Sequence, residues 1–397
     1  MSEPRFYSHN SVYRQEGEDY PTYSLDEIQA RYLPDIKKDG IVASDMDGSM
    51  FYNDLGIHVF LEQLSQPQGW VKDPGEFARL LTPDSYQVIL KMALAGQVKD
   101  ISREQAEIYV KLRDDCIDLY KAIYAVKRKR LTIENPLVNE FARKMLELDR
   151  MGMEMEQVFM IGNDGQILSR TRFFVEHNPW MVTQITTAAM RSHENGGRYV
   201  DLKVYPKNDA VAEQRISEHD LEPLRYDKQI VVVEGTRHII QNLFDHGNGV
   251  PVRIVTTNLK DIAEAAIEAS PYYKGLLDQD CDGKSPILAS KLVRNDYGKM
   301  GQNFWKLPIL GGVKGVMLRD LEEKMKRKVR VAIADSPTND GAMVTLTLRN
   351  GGVAFFVRKY QEAFEETRNR FKVLIDGPEG VRRSTGDKDV GDRIFYV

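Results

Sequence analysis

Apolar and polar positions along the chain change their rhythm several times, and those changes predict the elements. Gly40-Ile41-Val42-Ala43-Ser44 is a short run without polar alternation and reads as a strand buried on both faces. Ahead of it, Ser24 to Leu33 has a capping-box start, with Glu27 three residues after Ser24, and reads as a short helix. From Gly56 to Leu148 the apolar spacing is mostly helical, as in Glu104 to Ile123 and Asn139 to Leu148. A strand-like pair, Gln157 to Ile161 and Gln166 to Leu168, flanks the turn Gly162-Asn163-Asp164-Gly165. A helix is expected at Met181 to His193, followed by a polar stretch through Glu222.

Beyond Gln229 the pattern alternates. Candidate strands are Ile230 to Val233, Val252 to Val255, Val329 to Ala334 and Val353 to Val357. Candidate helices between them are Thr236 to Phe244, Leu259 to Ala269 and Lys314 to Lys326. Short apolar strands alternating with helices imply an α/β fold with a parallel sheet covered on both faces. The tail after Gly377 is polar until Ile394 to Val397.

Composition adds limits. The 397 residues are 42% apolar and 29% charged, ordinary for a globular chain with a large core. A net charge of −4 offers no global positive field for nucleic acid or an anionic membrane. No apolar run approaches the ~20 residues needed to span a bilayer, and Met1 to Asp19 lacks a signal-peptide core. Two cysteines, Cys116 and Cys281, argue for free structural thiols, and the expected location is cytoplasmic. Lys127 to Arg130 reads as a charged helix face, and Asp278 to Gly283 as an acidic loop whose twelfth position, Ala289, is not the Glu of an EF-hand.

Chemistry gathers at three strand ends: Asp45-Met46-Asp47-Gly48-Ser49, Thr256-Thr257-Asn258, and Asp335 to Asp340. In open α/β sheets, ligands bind beyond the carboxyl ends of strands at a switch in strand order. Clustered carboxylates repel one another unless a cation sits among them, and hard oxygen donors suit Mg²⁺. A carboxylate can attack phosphorus if positive groups neutralise the phosphoryl oxygens; Lys314 can supply a fixed charge and the Thr/Asn cluster neutral donors.

These segments resemble the motifs of the haloacid dehalogenase superfamily of aspartate-nucleophile phosphohydrolases, in the family's order. Asp45 to Ser49 is similar to its Asp-x-Asp-Gly-Thr/Ser motif, Thr256 to its strand-end Thr/Ser, Lys314 to its Lys, and Asp335 with Asp340 to its acidic pair. The resemblance covers 40–56 and 228–358; Glu234-Gly235-Thr236 is similar to phosphoserine phosphatase-like members. Ala334 and Ser49-Met50 depart from the commoner Gly and Thr-Leu.

The resemblance implies a Rossmann-like core of 35–56 and 228–375, with a mostly helical cap, 57–227, inserted between the first and second motifs. A lead-in of 1–34 and a tail of 376–397 complete the chain. It implies Asp45 as nucleophile and Mg²⁺ ligand, and Asp47 as general acid/base with its carbonyl on the metal. Thr256, Thr257, Asn258 and Gly48 would surround the phosphoryl group, and Lys314 would pair with Asp45 and the phosphate. Asp335 and Asp340 would complete the metal site. Asp54, nine residues after Asp45, stands where phosphoserine phosphatase-like members recognise a substrate amine.

The implied activity is Mg²⁺-dependent hydrolysis of a small phosphomonoester. The alternatives are phosphotransfer through the same aspartyl-phosphate, or a degenerate member acting as a binding scaffold. The expected partner is a small-molecule phosphate ester, with no nucleic acid and no membrane, and a homodimer joined through the cap is the assembly the insertion allows.

Overall fold

The structure, a computed structural model, describes residues 25–51, 54–66, 70, 72–81, 84–99, 101–126, 135–156, 173–191, 232–244, 249–278, 285–304, 309, 311–337, 339–357, 371 and 393–396. The lead-in before Leu25, the expected hairpin near 157–168, the Lys127–Arg130 run and most of the 278–283 loop lie outside the described residues. Among the described residues no helix is long and apolar enough to cross a membrane.

The chain divides into two compact units: residues 1–54, 231–289 and 309–397 form one, and 55–230 with 290–308 the other. The first is built on a six-stranded sheet. Its strands are β1 (Gly40–Ser44), β2 (Val252–Leu259), β3 (Ile287–Ser290), β6 (Lys328–Ala334), β7 (Val353–Phe356) and β8 (Ile394–Tyr396), in the order β3-β2-β1-β6-β7-β8. The β1–β2, β1–β6, β6–β7 and β7–β8 pairings are parallel. This is the α/β architecture with a parallel sheet that the alternating pattern predicts, and it is Rossmann-like. All five β1 residues are buried, as a strand covered on both faces requires.

Strand order reverses at β1: β2 and β3 extend to one side, while β6 takes the other. Register places Ser44 beside Ile254 on β2 and Ile333 on β6, so three carboxyl ends come level.

Helices of this unit include α1 (Leu25–Tyr32), α2 (Ile36–Asp39), α9 (Glu234–Phe244), α10 (Lys260–Ala269), α11 (Gly312–Met325) and α12 (Gly341–Arg349). Before β7 the chain passes close to β6. A Cβ on Gly352 would collide with the Arg330 carbonyl oxygen, so only glycine fits. The C-terminal segment is not a loose tail where it is described. β8 extends the sheet, and the buried Arg393 donates to the Leu348 carbonyl at 2.9 Å and to that of Gly352 at 3.2 Å.

One expected strand changes character. Of Ile230 to Val233, the described part makes only a bridge: Val232 pairs antiparallel with Phe51, and Val233 N donates to Met50 O at 2.9 Å. Its partner is the loop that turns back after β1, so it does not join the sheet.

The second unit is helical: α3 (Leu55–Leu64), α4 (Pro74–Leu81), α5 (Asp84–Leu94), α6 (Arg103–Val126), α7 (Pro136–Glu156) and α8 (Pro179–Arg191). It also takes in the antiparallel pair β4 (Leu292–Arg294) and β5 (Met300–Phe304), from a stretch expected to belong to the sheet unit. Glu176, with φ +68°, accepts the Asn295 side-chain amide, and its backbone N–H donates to Met300 O at 2.8 Å. These contacts explain the allegiance of that segment.

Trp70, Phe77, Tyr120, Phe141 and Phe173 form an aromatic core, with Phe77 stacked on Tyr120 at 4.0 Å. Cys116 is buried and free, and burial pushes its thiol up.

A lysine sits in that core. Lys72 is 1% exposed; its Nζ donates to the Phe173 carbonyl at 2.6 Å and lies 5.3 Å from the Phe173 ring centre. Burial pulls its pKa down to about 7, against Glu76 and Glu176, which act to raise it. The depressed value makes folding cost most below pH 7, where both folded and unfolded chains carry the charge. Between pH 7 and the ordinary lysine value the folded chain binds fewer protons, so stability rises with pH. Each tenfold change in proton affinity corresponds to about 1.4 kcal/mol. Lys72→Met is therefore expected to raise the thermal midpoint at pH 6 and to flatten its rise towards pH 10. A variant profile parallel to the parent's at every pH would show that Lys72 carries no such cost.

Candidate functional site

The site is assembled at the carboxyl ends of β1, β2 and β6. Asp45 follows β1 directly, and its backbone N–H continues the ladder by donating to Ile333 O at 2.9 Å. The chain then turns sharply. Met50 and Phe51 N–H groups return to Met46 O, and Gly48 N donates to Phe51 O at 2.6 Å. Gly48 has φ +77°, a conformation side chains disfavour, so glycine here serves the turn. Phe51 is clamped edge-on against Tyr273, whose hydroxyl donates to Met50 O at 3.4 Å. The turn leaves Asp45 buried and Asp47 half-exposed.

Lys314 enters from the first turn of α11. Its Nζ donates to Asp45 Oδ1 at 2.7 Å and to Asp340 Oδ1 at 2.6 Å, across 269 and 26 residues of chain. Lys314 is 2% exposed, Asp45 6% and Asp340 0%. A cation this deep is tolerable only with carboxylate beside it, and Lys314 has two such partners. Burial works against its charge, and the carboxylates of Asp45 and Asp340 outweigh that, holding its pKa above the usual lysine value.

Asp340 occupies the N-cap position of α12, yet its side chain does not cap the helix. Oδ1 takes Lys314, while Oδ2 accepts the backbone N–H groups of Asp335 and Ser336, each at 3.3 Å. It thereby fixes both the lysine and the loop that carries Asp335.

Asp45 feels the crowding. Burial, followed by Asp340, pushes its carboxyl well above the usual range, with Asp335 and Asp47 adding to it and Lys314 opposing. One lysine does not balance these acids. Carboxylate oxygens of Asp45, Asp335 and Asp340 all lie within 4.8 Å of one another. Hard, closely set oxygens with an excess of negative charge fit a divalent cation such as Mg²⁺. Both Asp340 oxygens are already engaged, so Asp45 and Asp335 are the carboxylates of this group that could best hold such an ion.

Asp47 belongs to a second network. Asn258 Nδ2 donates to Asp47 Oδ2 at 2.7 Å, and Asn258 N donates to Thr256 Oγ1 at 3.1 Å. The structure thus brings together Asp45, Lys314, Asp335 and Asp340 in one group, and Asp47, Asn258 and Thr256 in another. Strand alternation turns Thr257 to the face opposite Thr256 and Asn258. Asp54 is partly buried just before α3, at the end of its unit. The amides of Asp335 and Ser336 were not foreseeable as site groups, since backbone donors leave no mark in residue type.

No family model matches the chain, and no curated protein matches it. A crystal structure of a conserved protein of unknown function from Anaerococcus prevotii DSM 20548 is similar to it. The TM-score is 0.54 at 13% identity, over 91% of this chain and 88% of that one. At that identity the likeness shows the fold alone. It extends over both units.

Proposed function

We propose that the chain is a Mg²⁺-dependent phosphatase of the haloacid dehalogenase type, hydrolysing a small phosphomonoester through an aspartyl-phosphate on Asp45. The observation that carries this reading is Lys314 held between Asp45 and Asp340 at the strand-order switch, with Asp335 alongside.

In this mechanism an Asp45 carboxylate oxygen forms a bond to phosphorus as the bond to the leaving oxygen breaks, and Asp47 gives that oxygen a proton. Water then attacks the aspartyl-phosphate, Asp47 takes a proton from it, and Asp45 and inorganic phosphate are released. Asp45 and Asp335 would hold Mg²⁺, which supplies charge neutralisation at the phosphoryl oxygens. Lys314 holds Asp45 in place and favours its ionised form, and Thr256 offers its hydroxyl hydrogen to a phosphoryl oxygen.

The first test is thermal. Mg²⁺ with beryllium fluoride, a phosphoryl mimic, is expected to raise the unfolding midpoint beyond Mg²⁺ alone. At a hundredfold excess over the dissociation constant, the gain is about 2.7 kcal/mol. EDTA should remove both the shift and phosphate release across an ester panel. An unchanged midpoint together with undiminished turnover in EDTA would refute the reading.

A further inference from the structure

Asn258 stands among the donors expected to grip the phosphoryl group, but its side chain is already committed. Nδ2 lies 2.7 Å from Asp47 Oδ2, and the residue is 9% exposed. Its backbone N–H is committed as well, to Thr256 Oγ1. We propose that Asn258 is a positioning residue for Asp47, selecting which carboxyl oxygen of Asp47 handles the proton. The proposal rests on the phosphatase reading.

An amide N–H can only donate, so the Asp47 oxygen facing it must be an acceptor. When Asp47 is protonated, the proton is therefore placed on Oδ1, the other oxygen. That assignment has a direct use. As Asp45 bonds to phosphorus and the ester P–O bond breaks, the proton leaves Oδ1 for the departing oxygen. Oδ2 stays bound to Asn258 throughout. In the second half, Oδ1 receives the proton of the attacking water. The side chain keeps one rotamer through both halves, so its ordering is completed before reaction. Asn258 is well suited to this, because it is buried within β2, and a strand holds a side chain more rigidly than a loop.

The same bonding relay prepares Thr256. Its Oγ1 accepts from Asn258 N, which turns its hydroxyl hydrogen away from that amide. One residue thus orients an acid through its side chain and a donor through its backbone. Only the first function is open to mutation.

General acid catalysis matters most when the leaving group is a poor one. Asn258→Ala is expected to lower kcat/KM for an alkyl phosphate by about 10²-fold, the lower end for a general acid. For 2,4-dinitrophenyl phosphate, whose leaving oxygen needs no proton, the loss should stay below about fivefold. Beryllium fluoride affinity should be near the parent's. In an Asp47→Asn background, Asn258→Ala should cost nothing further with the dinitrophenyl ester. Asn258→Ser, whose neutral side chain is too short to reach Asp47 Oδ2, serves as the second variant should the alanine protein not fold, with the same selectivity expected.

A loss equal across the ester series overturns the proposal, whether or not beryllium fluoride binding weakens, and so does no loss at all. If the parent protein turns over no phosphate ester, the phosphatase reading fails first and takes this inference with it. If the parent is active and the variants lose activity uniformly, only this inference falls.

Discussion

Asp45→Asn is expected to abolish phosphate release by roughly 10⁴-fold or more, the scale on which removing a covalent nucleophile acts, while leaving the protein at least as stable. The amide oxygen can still accept the Lys314 hydrogen bond, so the fold loses little there. It also removes one negative charge from a site where Asp340, Asp335 and Asp47 all act against the ionised form of Asp45. Activity and stability should therefore move in opposite directions. Measuring phosphate release and the thermal midpoint on the same preparation checks both. Turnover within tenfold of the parent would remove Asp45 as nucleophile.

Lys314→Met is expected to lower both. The side chain is nearly matched in volume, so the effect is electrostatic. It leaves Asp340 fully buried without the cation it pairs with, and Asp45 without its closest one. Breaking a buried pair from one side costs about 3–5 kcal/mol. Chemical denaturation should register a loss of that size. Adding Asp340→Asn to Lys314→Met should recover part of it, because the second change removes the stranded charge. The amide oxygen can also keep accepting from the Asp335 and Ser336 N–H groups. The double variant should recover stability and stay inactive. Equal stability of Lys314→Met and the parent would show that the two ion pairs carry no net weight.

Much of the sheet unit was legible in the sequence because its strands are doubly buried. Ile41-Val42-Ala43 and Val331-Ala332-Ile333 have no exposed face to satisfy, so continuous apolar runs mark them. The acidic strand ends were legible because carboxylates directly after such runs have little structural reason to be there. Other features had no local signature. Lys72 reads as a surface charge until Phe173, about a hundred residues on, covers it. The strands Leu292–Arg294 and Met300–Phe304 had no expected counterpart, and the Glu176 contacts tie them to the helical unit. Asn258 reads as one more phosphate donor, and its partner Asp47 lies 211 residues away. Pairing across such distances is set by register, and spacing does not encode it.

The place of β1 in the sheet bears on how the chain is made. Its two neighbours, β2 and β6, begin at Val252 and Lys328, so a strand completed at Ser44 waits for most of the polypeptide before either edge is paired. Closing loops of that length makes folding slow and leaves an apolar edge open meanwhile. The helical unit, by contrast, gathers most of its core from 55–191 and has nearby partners from the start. During synthesis the helices should therefore consolidate first. The acidic site waits longer still, until Asp340 on the far side of β6 has been made, and the unpaired Gly40–Ser44 edge is the segment a chaperone would have to shield.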